Sequence, residues 1–408
     1  MNLYLIFHEK YFGSAYGVGT YIRELILALK DSKISICVIS LISNKSQILK
    51  EEINGIKYWH IPIAISYEQT QQEQQKLYDH NIVYLLQLYI KKKENIVFHL
   101  NFPHSDHFIE NLKKAFYCKI VSVVHYLDWG SILFDNLKQL RNILNEEDSD
   151  SPNKYIKKRI KEEKSYYSKA DHCICLTKYM QEIMYRDYQL DITKISIIPN
   201  GLHDMTDSST NIKNLRKKWN ISSNDKILLF VGRMDEIKGV AYLMKAFQTV
   251  LNIYPQSKLI LAGNGKYSKY IQNSQNICTK VVYTGHLDTT QLCEWYRLAN
   301  IGIIPSLFEP FGLVAVEMMM HELPIVATAT SGLNEVVDES CGLKVPLSVT
   351  DDKVEIDTSL LAEKIVYLLQ NPEEAKQLGK NGRKRYLEKY SSEVFRKNML
   401  AFYNSLWS

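Results

Sequence analysis

Short apolar runs rich in β-branched residues alternate with longer amphipathic segments along the whole chain. Strands that alternate with helices in this way pair in parallel, because each connection must cross one face of the sheet. The pattern therefore predicts an α/β fold whose parallel sheets are covered on both faces. The predicted strands are residues 2–7, 34–42, 96–100, 120–125, 171–176 and 195–198 in the first half, and 227–231, 258–262, 280–284, 301–304 and 325–327 in the second. The predicted helices of the first half begin near Gly17, Glu73, Ser105, Ser151 and Lys178.

A polar, turn-rich stretch divides the chain into two halves. Residues 200–211 form it, and their composition is typical of an interdomain linker. The residues that make it polar and turn-rich are Gly201, Asp204, Asp207, Ser208 and Ser209. We predict a first domain over residues 1–199 and a second over 212–390. A last helix over residues 391–408 is expected to cross back onto the first domain, with packing on the second domain as the alternative. Its apolar face consists of Phe402, Tyr403, Leu406 and Trp407.

The length and composition fit a two-domain protein without a membrane span. A chain of 408 residues can build two domains, each with its own core. No apolar run approaches the roughly 20 residues that a membrane helix needs. The apolar start, residues 1–7, lacks a basic region before it and is interpreted as a first strand, not as a signal peptide. The seven scattered cysteines, without a Cys-x-x-Cys pair, predict reduced residues in a cytoplasmic protein.

The net charge of +5 is modest, but the basic residues are unevenly distributed. Clusters occur at residues 91–93, 113–114 and 154–164, all in the first half. Two interpretations stay open: solvated helix faces, or a surface attracted to anionic lipid headgroups or to a phosphorylated acceptor. The second would place the protein peripherally at the inner face of the membrane. Nucleic acid is not an expected partner, because the sequence has no aromatic-basic module or reading helix.

One segment after a predicted strand has the features of a ligand site. Residues 306–317 place Glu309 in a loop, Phe311, Gly312 and Leu313 in a turn, and Glu317 on the helix that follows. Loops at the carboxyl ends of strands are where open α/β sheets bind ligands. Eight helical residues would separate the two carboxylates by roughly 12 Å, too far for an acid/base pair. We interpret the segment as holding one extended ligand, a nucleotide sugar: Glu309 at the sugar, backbone amides at the diphosphate, Glu317 at the ribose.

The segment resembles the E-x7-E signature of retaining glycosyltransferases of the GT-B fold, most closely glycosyltransferase family 4. Further motifs follow in family order over residues 198–345, and the first half of the chain resembles the family only loosely. The matching motifs are Ile198-Pro-Asn200-Gly201, Phe230-Val-Gly232-Arg233 with Lys238-Gly239, Leu261-Ala-Gly263-Asn-Gly265, Tyr283-Thr-Gly285-His286, Pro324-Ile-Val-Ala-Thr and Glu335-Val-Val. The resemblance implies two Rossmann-like, doubly wound domains that face each other across a cleft.

The resemblance also implies roles for residues of the second half. Arg233 and Lys238, which follow a strand and begin a helix, are assigned to the diphosphate. The donor-binding residues also include Gly263, and His286 and Leu287 lie where the family holds the nucleobase. No Asp-x-Asp pair lies at the end of a predicted strand, and neither His-Glu pair of the chain has a partner at zinc-type spacing, so neither metal nor cofactor is expected. The sequence departs from the usual Gly-Gly turn at Ser331, which could alter the edge of the sugar pocket.

In the first half, a loop after the first strand contains Gly13, Gly17 and Gly19. The resemblance places this loop near the donor phosphates; a merely flexible turn is the alternative. His125, at the end of a strand, resembles the family's histidine near the reacting sugar, and a structural histidine is the alternative. Asp128 and Trp129 are candidates for the acceptor side.

These features predict a metal-independent, retaining glycosyltransferase that uses a nucleoside-diphosphate sugar. The catalytic candidates are His125, Glu309, Arg233 and Lys238. The acceptor hydroxyl would belong to a glycan, a lipid-linked glycan or a polypeptide. The alternatives are a sugar-nucleotide epimerase, a phosphorylase, or a non-catalytic subunit that binds sugar nucleotides or acts as a scaffold.

Overall fold

A computed structural model describes residues 1–9, 17–63, 71–92, 94–103, 105–146, 153–206, 211–273 and 275–407. Gly13, Lys93, Ser151, Asp207, Ser208 and Ser209, which the sequence analysis named, lie outside these ranges. The chain forms two compact units. The first contains Met1–Trp129, Arg141–Pro199 and Arg396–Ser408; the second contains Gly130–Leu140 and Asn200–Phe395.

The first unit is built on an eight-stranded sheet in the order β3-β4-β2-β1-β5-β6-β7-β8. Its strands are β1 Asn2–His8, β2 Ser35–Ser43, β3 Leu49–Ile53, β4 Ile56–Pro62, β5 Ile96–Leu100, β6 Cys118–Val124, β7 His172–Cys175 and β8 Ile195–Ile197. The α-helices of this part of the chain, among the described residues, are α1 Gly17–Leu29, α2 Gln71–Tyr89, α3 Asp106–Ala115, α4 Asp128–Ile132, α5 Leu137–Asn145, α6 Lys154–Lys169 and α7 Lys178–Arg186. The apolar β1 pairs in parallel with β2 and β5, as the continuous buried run predicts.

The hairpin of β3 and β4 is an element that the sequence analysis missed. β3 pairs antiparallel with β4, whereas the pairs between all the other strands of this sheet are parallel. The sequence of β3 is Leu-Lys-Glu-Glu-Ile, and four of its five residues are exposed. An edge strand that is solvated in this way carries no apolar run, so its sequence does not reveal it.

The second unit has a six-stranded parallel sheet in the order β11-β10-β9-β12-β13-β14 and a two-stranded antiparallel ribbon of β15 and β16. Its strands are β9 Lys226–Val231, β10 Ser257–Ala262, β11 Val281–Gly285, β12 Ile301–Ile304, β13 Ile325–Thr328, β14 Gly342–Val345, β15 Leu347–Val349 and β16 Val354–Ile356. The remaining helices are α8 Ile212–Lys218, α9 Val240–Ile253, α10 Ser268–Asn273, α11 Thr289–Leu298, α12 Leu313–Met320, α13 Leu333–Val336, α14 Thr358–Gln370, α15 Pro372–Arg385 and α16 Ser392–Ser405. None of the described helices is both long and apolar enough to cross a membrane.

The segment Gly130–Leu140 belongs to the second unit, although the sequence analysis placed it in the first domain. Asn136 Nδ2 donates a hydrogen bond to the Thr350 carbonyl at 2.8 Å. Gly130 lies against Phe308 so closely that a Cβ atom there would be 2.4 Å from the ring. These contacts join positions far apart in the sequence, so no local sequence pattern predicts them.

The end of α16 packs within the first unit. The Tyr403 hydroxyl lies 2.9 Å from Nδ1 of His99, and the Arg396 guanidinium donates to the Ala28 carbonyl. Three of the four residues named as its apolar face, Phe402, Tyr403 and Leu406, are buried. The helix is therefore held by both apolar packing and specific hydrogen bonds.

A tight contact between β12 and the start of α9 generates a test of stability. Gly239 has φ +67°, and a Cβ atom there would lie 1.7 Å from the Pro305 carbonyl oxygen. We expect Gly239→Ala to lower the free energy of unfolding by about 3 kcal/mol, because both the conformation and the contact oppose a side chain. Gly285→Ala is the matched control: its φ is +70°, but its Cβ would meet no described atom within 4 Å. The control should lose only about 1–2 kcal/mol; equal losses in urea unfolding would show that the contact does not matter.

Candidate functional site

The strand order of the second unit reverses at β9. β10 and β11 extend from one side of β9, whereas β12 and β13 extend from the other, and β9 pairs in parallel with both neighbours. Open α/β sheets bind ligands at such a reversal, outside the carboxyl ends of the strands. The loops that leave β9, β10 and β12 carry Arg233, Gly263 and Glu309. The fold thus gathers residues that were predicted from separate motifs.

The loop after β9 presents two basic side chains. Asp235 caps a short 3-10 turn, Glu236–Lys238, by accepting a hydrogen bond from the Lys238 amide at 3.3 Å. The same carboxylate pairs with Nη2 of Arg233 at 3.0 Å, and the Arg233 side chain is 46% exposed. One aspartate therefore sets the turn and also holds Arg233 near it.

Glu309 is fixed at several of its atoms. Its Oε2 lies 2.5 Å from Nζ of Lys238, and each side chain is only about a fifth exposed. Its backbone amide donates to Oγ of Ser331 at 2.9 Å, and its carbonyl accepts from the Leu333 amide at 3.0 Å. Ser331, named from the sequence only as a departure, thus contacts the backbone of the predicted sugar-binding glutamate. Its hydroxyl makes a bond that glycine cannot make.

The turn after Glu309 leads directly into α12. Gly312 adopts φ +95° at the helix start, and α12 begins at Leu313. Phe311 is buried, with its ring centroid 5.8 Å from that of Tyr390. The amides of a first helical turn have no partners within the helix, so this end of α12 attracts anions.

Glu317 is held by a tyrosine that the sequence analysis did not identify. The Tyr296 hydroxyl, on α11, donates to Oε2 of Glu317 at 2.5 Å. Burial and the nearby Glu317 charge raise the pKa of Tyr296 well above its ordinary value, so the hydroxyl keeps its proton. His321 Nδ1 lies 2.9 Å from the Glu317 carbonyl, and its ring lies beside that of Tyr296. Residues 296 and 317 are separated by a whole strand, and no motif links them.

The loop after β10 contains Gly263, and the predicted nucleobase residues His286 and Leu287 follow β11. A Cβ atom at Gly263 would lie 2.0 Å from the Gly232 carbonyl oxygen, so the two loops approach as closely as glycine allows. His286 and Leu287 line a pocket of about 410 Å³ together with Trp219 and Trp295. The pocket combines aromatic walls with the backbone turn where the nucleobase was expected.

The predicted residues of the first unit lie at the ends of β1 and β6. Gly17 and Gly19 are in the first turn of α1, and His125 directly follows β6. Nε2 of His125 lies 3.2 Å from Oδ1 of Asn101, and the Tyr21 ring meets the imidazole edge-on at 4.8 Å. Burial lowers the pKa of His125 to about 3, so the ring is neutral at ordinary pH.

Asp128 and Trp129 begin the short helix α4 and have different surroundings. The Asp128 carboxylate accepts a hydrogen bond from Nε of Arg159 at 2.8 Å. The Trp129 side chain is 1% exposed, so the structure places it in the interior and not on a surface. Glu163 accepts from the Asp128 amide at 3.2 Å and from the Tyr188 hydroxyl at 2.5 Å. Glu163, which the sequence analysis did not name, thereby anchors the loop after His125.

Within the described ranges, no group of three or more His, Cys, Asp or Glu side chains could hold a metal ion. All seven cysteines carry free thiols. Arg233 and Lys238 bring positive charge to the carboxyl edge of the second unit's sheet.

Two glycosyltransferase profiles match the chain, one in each half. The family described as Glycosyltransferase Family 4 matches residues 15–204, and the family described as Glycosyl transferases group 1 matches residues 211–385. The two regions together span most of the chain, which belongs to these glycosyltransferases.

Curated relatives agree with this family, and solved structures share the fold. An uncharacterized glycosyltransferase of Methanocaldococcus jannaschii is 30% identical over 181 residues, which are 42% of this chain and 46% of the relative. The chain spans about half the length of the curated relatives it matches. The sucrose-phosphate synthase of Thermosynechococcus elongatus superposes with a TM-score of 0.77 at 22% identity, over 100% of this chain and 99% of the other. The Anabaena protein HepE, solved with UDP and glucose, gives 0.72 at 13% identity and 99% coverage of both chains. The likeness establishes the GT-B fold of two Rossmann-like domains.

The buried Glu163 generates a prediction about pH. Burial raises its pKa from 4.5 to about 7, so between these values the unfolded chain loses the proton before the folded protein does. The free energy of unfolding of the wild type, relative to Glu163→Gln, should therefore fall as pH rises from 4.5 to 7 and then level off. We expect a relative fall of about 3 kcal/mol at most, measured by urea unfolding across this range. A difference that does not change with pH would show that Glu163 titrates normally.

Proposed function

We propose that this protein is a retaining glycosyltransferase that moves a sugar from a nucleoside-diphosphate sugar to an acceptor hydroxyl without needing a metal ion. The observation that carries the proposal is the grouping of Arg233, Lys238 and Glu309 at the strand-order reversal, with Glu317 held on the helix that follows. The family supports the reaction class, and the UDP and glucose bound to HepE support this class of donor.

The two basic side chains suit the departing nucleotide. Breaking the sugar–phosphate bond develops negative charge on the leaving oxygen, which fixed donors stabilise most effectively. Lys238 is held by Glu309, and Arg233 by Asp235, so both cations are positioned with little reorganisation to come. The helix start at Leu313 adds backbone amides to the same anion site.

Glu309 and Glu317 suit the two ends of the donor. The 2.5 Å separation of Lys238 Nζ and Glu309 Oε2 lets one group contact a phosphate while the other accepts hydrogen bonds from the adjoining sugar. Glu317 accepts from Tyr296 at one oxygen, and a carboxylate has further acceptor positions for ribose hydroxyls.

The surroundings of His125 constrain how the acceptor loses its proton. A histidine whose pKa is about 3 is a weak base, so it accepts a hydrogen bond from a hydroxyl more readily than the whole proton. The proton would then pass to the departing phosphate, with the acceptor attacking from the leaving-group side. This route retains configuration without a covalent intermediate.

A glycan, a lipid-linked glycan or a polypeptide would each supply the acceptor hydroxyl. Peripheral binding to an anionic membrane would accompany a lipid-linked acceptor. Sedimentation with anionic vesicles at low and high salt tests this, since electrostatic binding weakens as salt rises.

A nucleotide panel with a lysine variant tests the donor site. A ligand that binds only the folded protein raises its melting temperature. We expect one nucleoside diphosphate and its sugar to do so equally with and without chelator. Lys238→Ala should abolish this shift and lower transfer by about 10²-fold, whereas Lys245→Ala, on the exposed side of α9, should behave as wild type. Near-normal transfer by Lys238→Ala would overturn the site, and nucleotide binding without transfer to any acceptor would favour a scaffolding subunit.

Tyr296 generates a second prediction about donor affinity. Tyr296→Phe removes the hydroxyl that holds Glu317, so we expect the dissociation constant for the nucleotide to rise by about tenfold, as for the loss of one hydrogen bond to a charged group. Tyr386→Phe is the matched control, because its buried hydroxyl bonds the Leu202 carbonyl at 3.0 Å in the same unit. Isothermal titration measures the nucleotide affinity of both variants. Equal affinities would mean that the Tyr296 hydroxyl is not needed to hold Glu317 for nucleotide binding.

A further inference from the structure

A chain of buried polar side chains connects the last helix to the neighbourhood of His125. The Tyr403 hydroxyl, on α16, lies 2.9 Å from Nδ1 of His99, and Nε2 of His99 lies 3.2 Å from the Tyr21 hydroxyl. The Tyr21 ring in turn rests against the His125 imidazole, with centroids 4.8 Å apart and planes at 77°. All four residues belong to the first unit.

The two hydrogen bonds at His99 must run in the same direction, whichever tautomer the ring adopts. Burial lowers the pKa of His99 to about 3, so its ring is neutral and has one donor and one acceptor nitrogen. One tyrosine hydroxyl must therefore donate to His99 while the other accepts from it. Removing either hydroxyl leaves a buried nitrogen without its partner and frees the ring to change tautomer.

We propose that Tyr403 is a positioning residue for His125, because the chain Tyr403–His99–Tyr21 fixes the ring on which the His125 imidazole rests. The proposal depends on the role of His125 in the proposed function. It gives α16 a task beyond packing, since its terminal turn sets the geometry of a catalytic candidate that precedes it by 278 residues (403 − 125) in the sequence.

The surroundings of His125 explain why one tyrosine matters. Asn101 holds the imidazole at Nε2, at 3.2 Å, and Tyr21 meets it edge-on. Asn101 is itself fixed, because its backbone amide donates to the Ile6 carbonyl at 3.0 Å and its side-chain Nδ2 donates to the His99 carbonyl at 3.4 Å. Tyr21 is on α1, whose first turn contains Gly17 and Gly19, so its ring is a contact between α1 and β6. A shift of the Tyr21 ring would therefore move the His125 imidazole relative to Asn101 and to the first turn of α1.

The test compares Tyr403→Phe with Tyr166→Phe in the full-length protein. Tyr166 is 1% exposed in the same unit, and its hydroxyl bonds the Phe102 carbonyl at 3.0 Å and Ser122 Oγ at 3.1 Å, outside the chain to His99. Both variants lose a buried hydroxyl and keep the ring. Purely structural damage should therefore affect them alike.

Two readouts are expected to separate the variants. Nitrogen-15 spectra of histidine-labelled protein should show changed side-chain signals of His99 and His125 in Tyr403→Phe but not in Tyr166→Phe. The kcat of transfer should fall by about tenfold in Tyr403→Phe, with the KM for the nucleotide sugar within about twofold of wild type, because small misplacements of a catalytic group slow the chemical step.

Each readout can overturn the proposal. Unchanged His125 signals in Tyr403→Phe would show that the hydrogen bonds from Tyr403 through His99 to Tyr21 do not affect the imidazole. A kcat of Tyr403→Phe equal to that of Tyr166→Phe would show that the reaction does not depend on these hydrogen bonds. If the wild type transfers no sugar, the proposed function fails, and the spectra still decide whether Tyr403 positions His125. If His125→Ala retains full kcat, only the catalytic role fails.

Discussion

The parallel pairing of β9 with β10 on one side and β12 on the other is the constraint on which the candidate donor site depends. It brings three loops to one edge of the sheet, although their residues lie dozens of positions apart. The loops approach so closely that Gly239 and Gly263 have no room for a side chain. Arg233, Lys238 and Glu309 follow the carboxyl ends of the strands at this edge, where open α/β sheets bind ligands.

The charges at this edge are arranged before any ligand binds. Lys238 and Glu309 hold each other, as do Arg233 and Asp235, and Tyr296 holds Glu317. The charged side chains of such a site need little reorganisation during the reaction. Fixed charges stabilise a transition state most effectively when they are positioned in advance. Within the first two pairs, the charge of each basic side chain is offset by its own carboxylate.

The sequence was sufficient to predict most strands but few of the contacts. The runs at 96–100 and 301–304 coincide with β5 and β12, because a strand buried on both faces must be apolar throughout. The edge strand β3 is solvated and polar, so it escaped prediction. The family motifs placed Glu309 and Lys238 in the site, but nothing in the sequence linked Ser331 to the Glu309 amide. Such contacts depend on how loops meet, and single-sequence patterns report only neighbours along the chain.

The two units divide the chemical requirements of the proposed reaction. The second unit supplies exposed or half-buried charges, which suit a diphosphate. The first supplies His125 and His99, whose pKa values burial lowers to about 3, and hydroxyls that bind them. Neutral rings in a buried network orient a hydroxyl without competing for its proton. If the strong base of the reaction is the departing phosphate, a histidine of ordinary pKa beside the acceptor would hold the proton that the phosphate needs. The low basicity of His125, which desolvation causes, is therefore consistent with the proposed route.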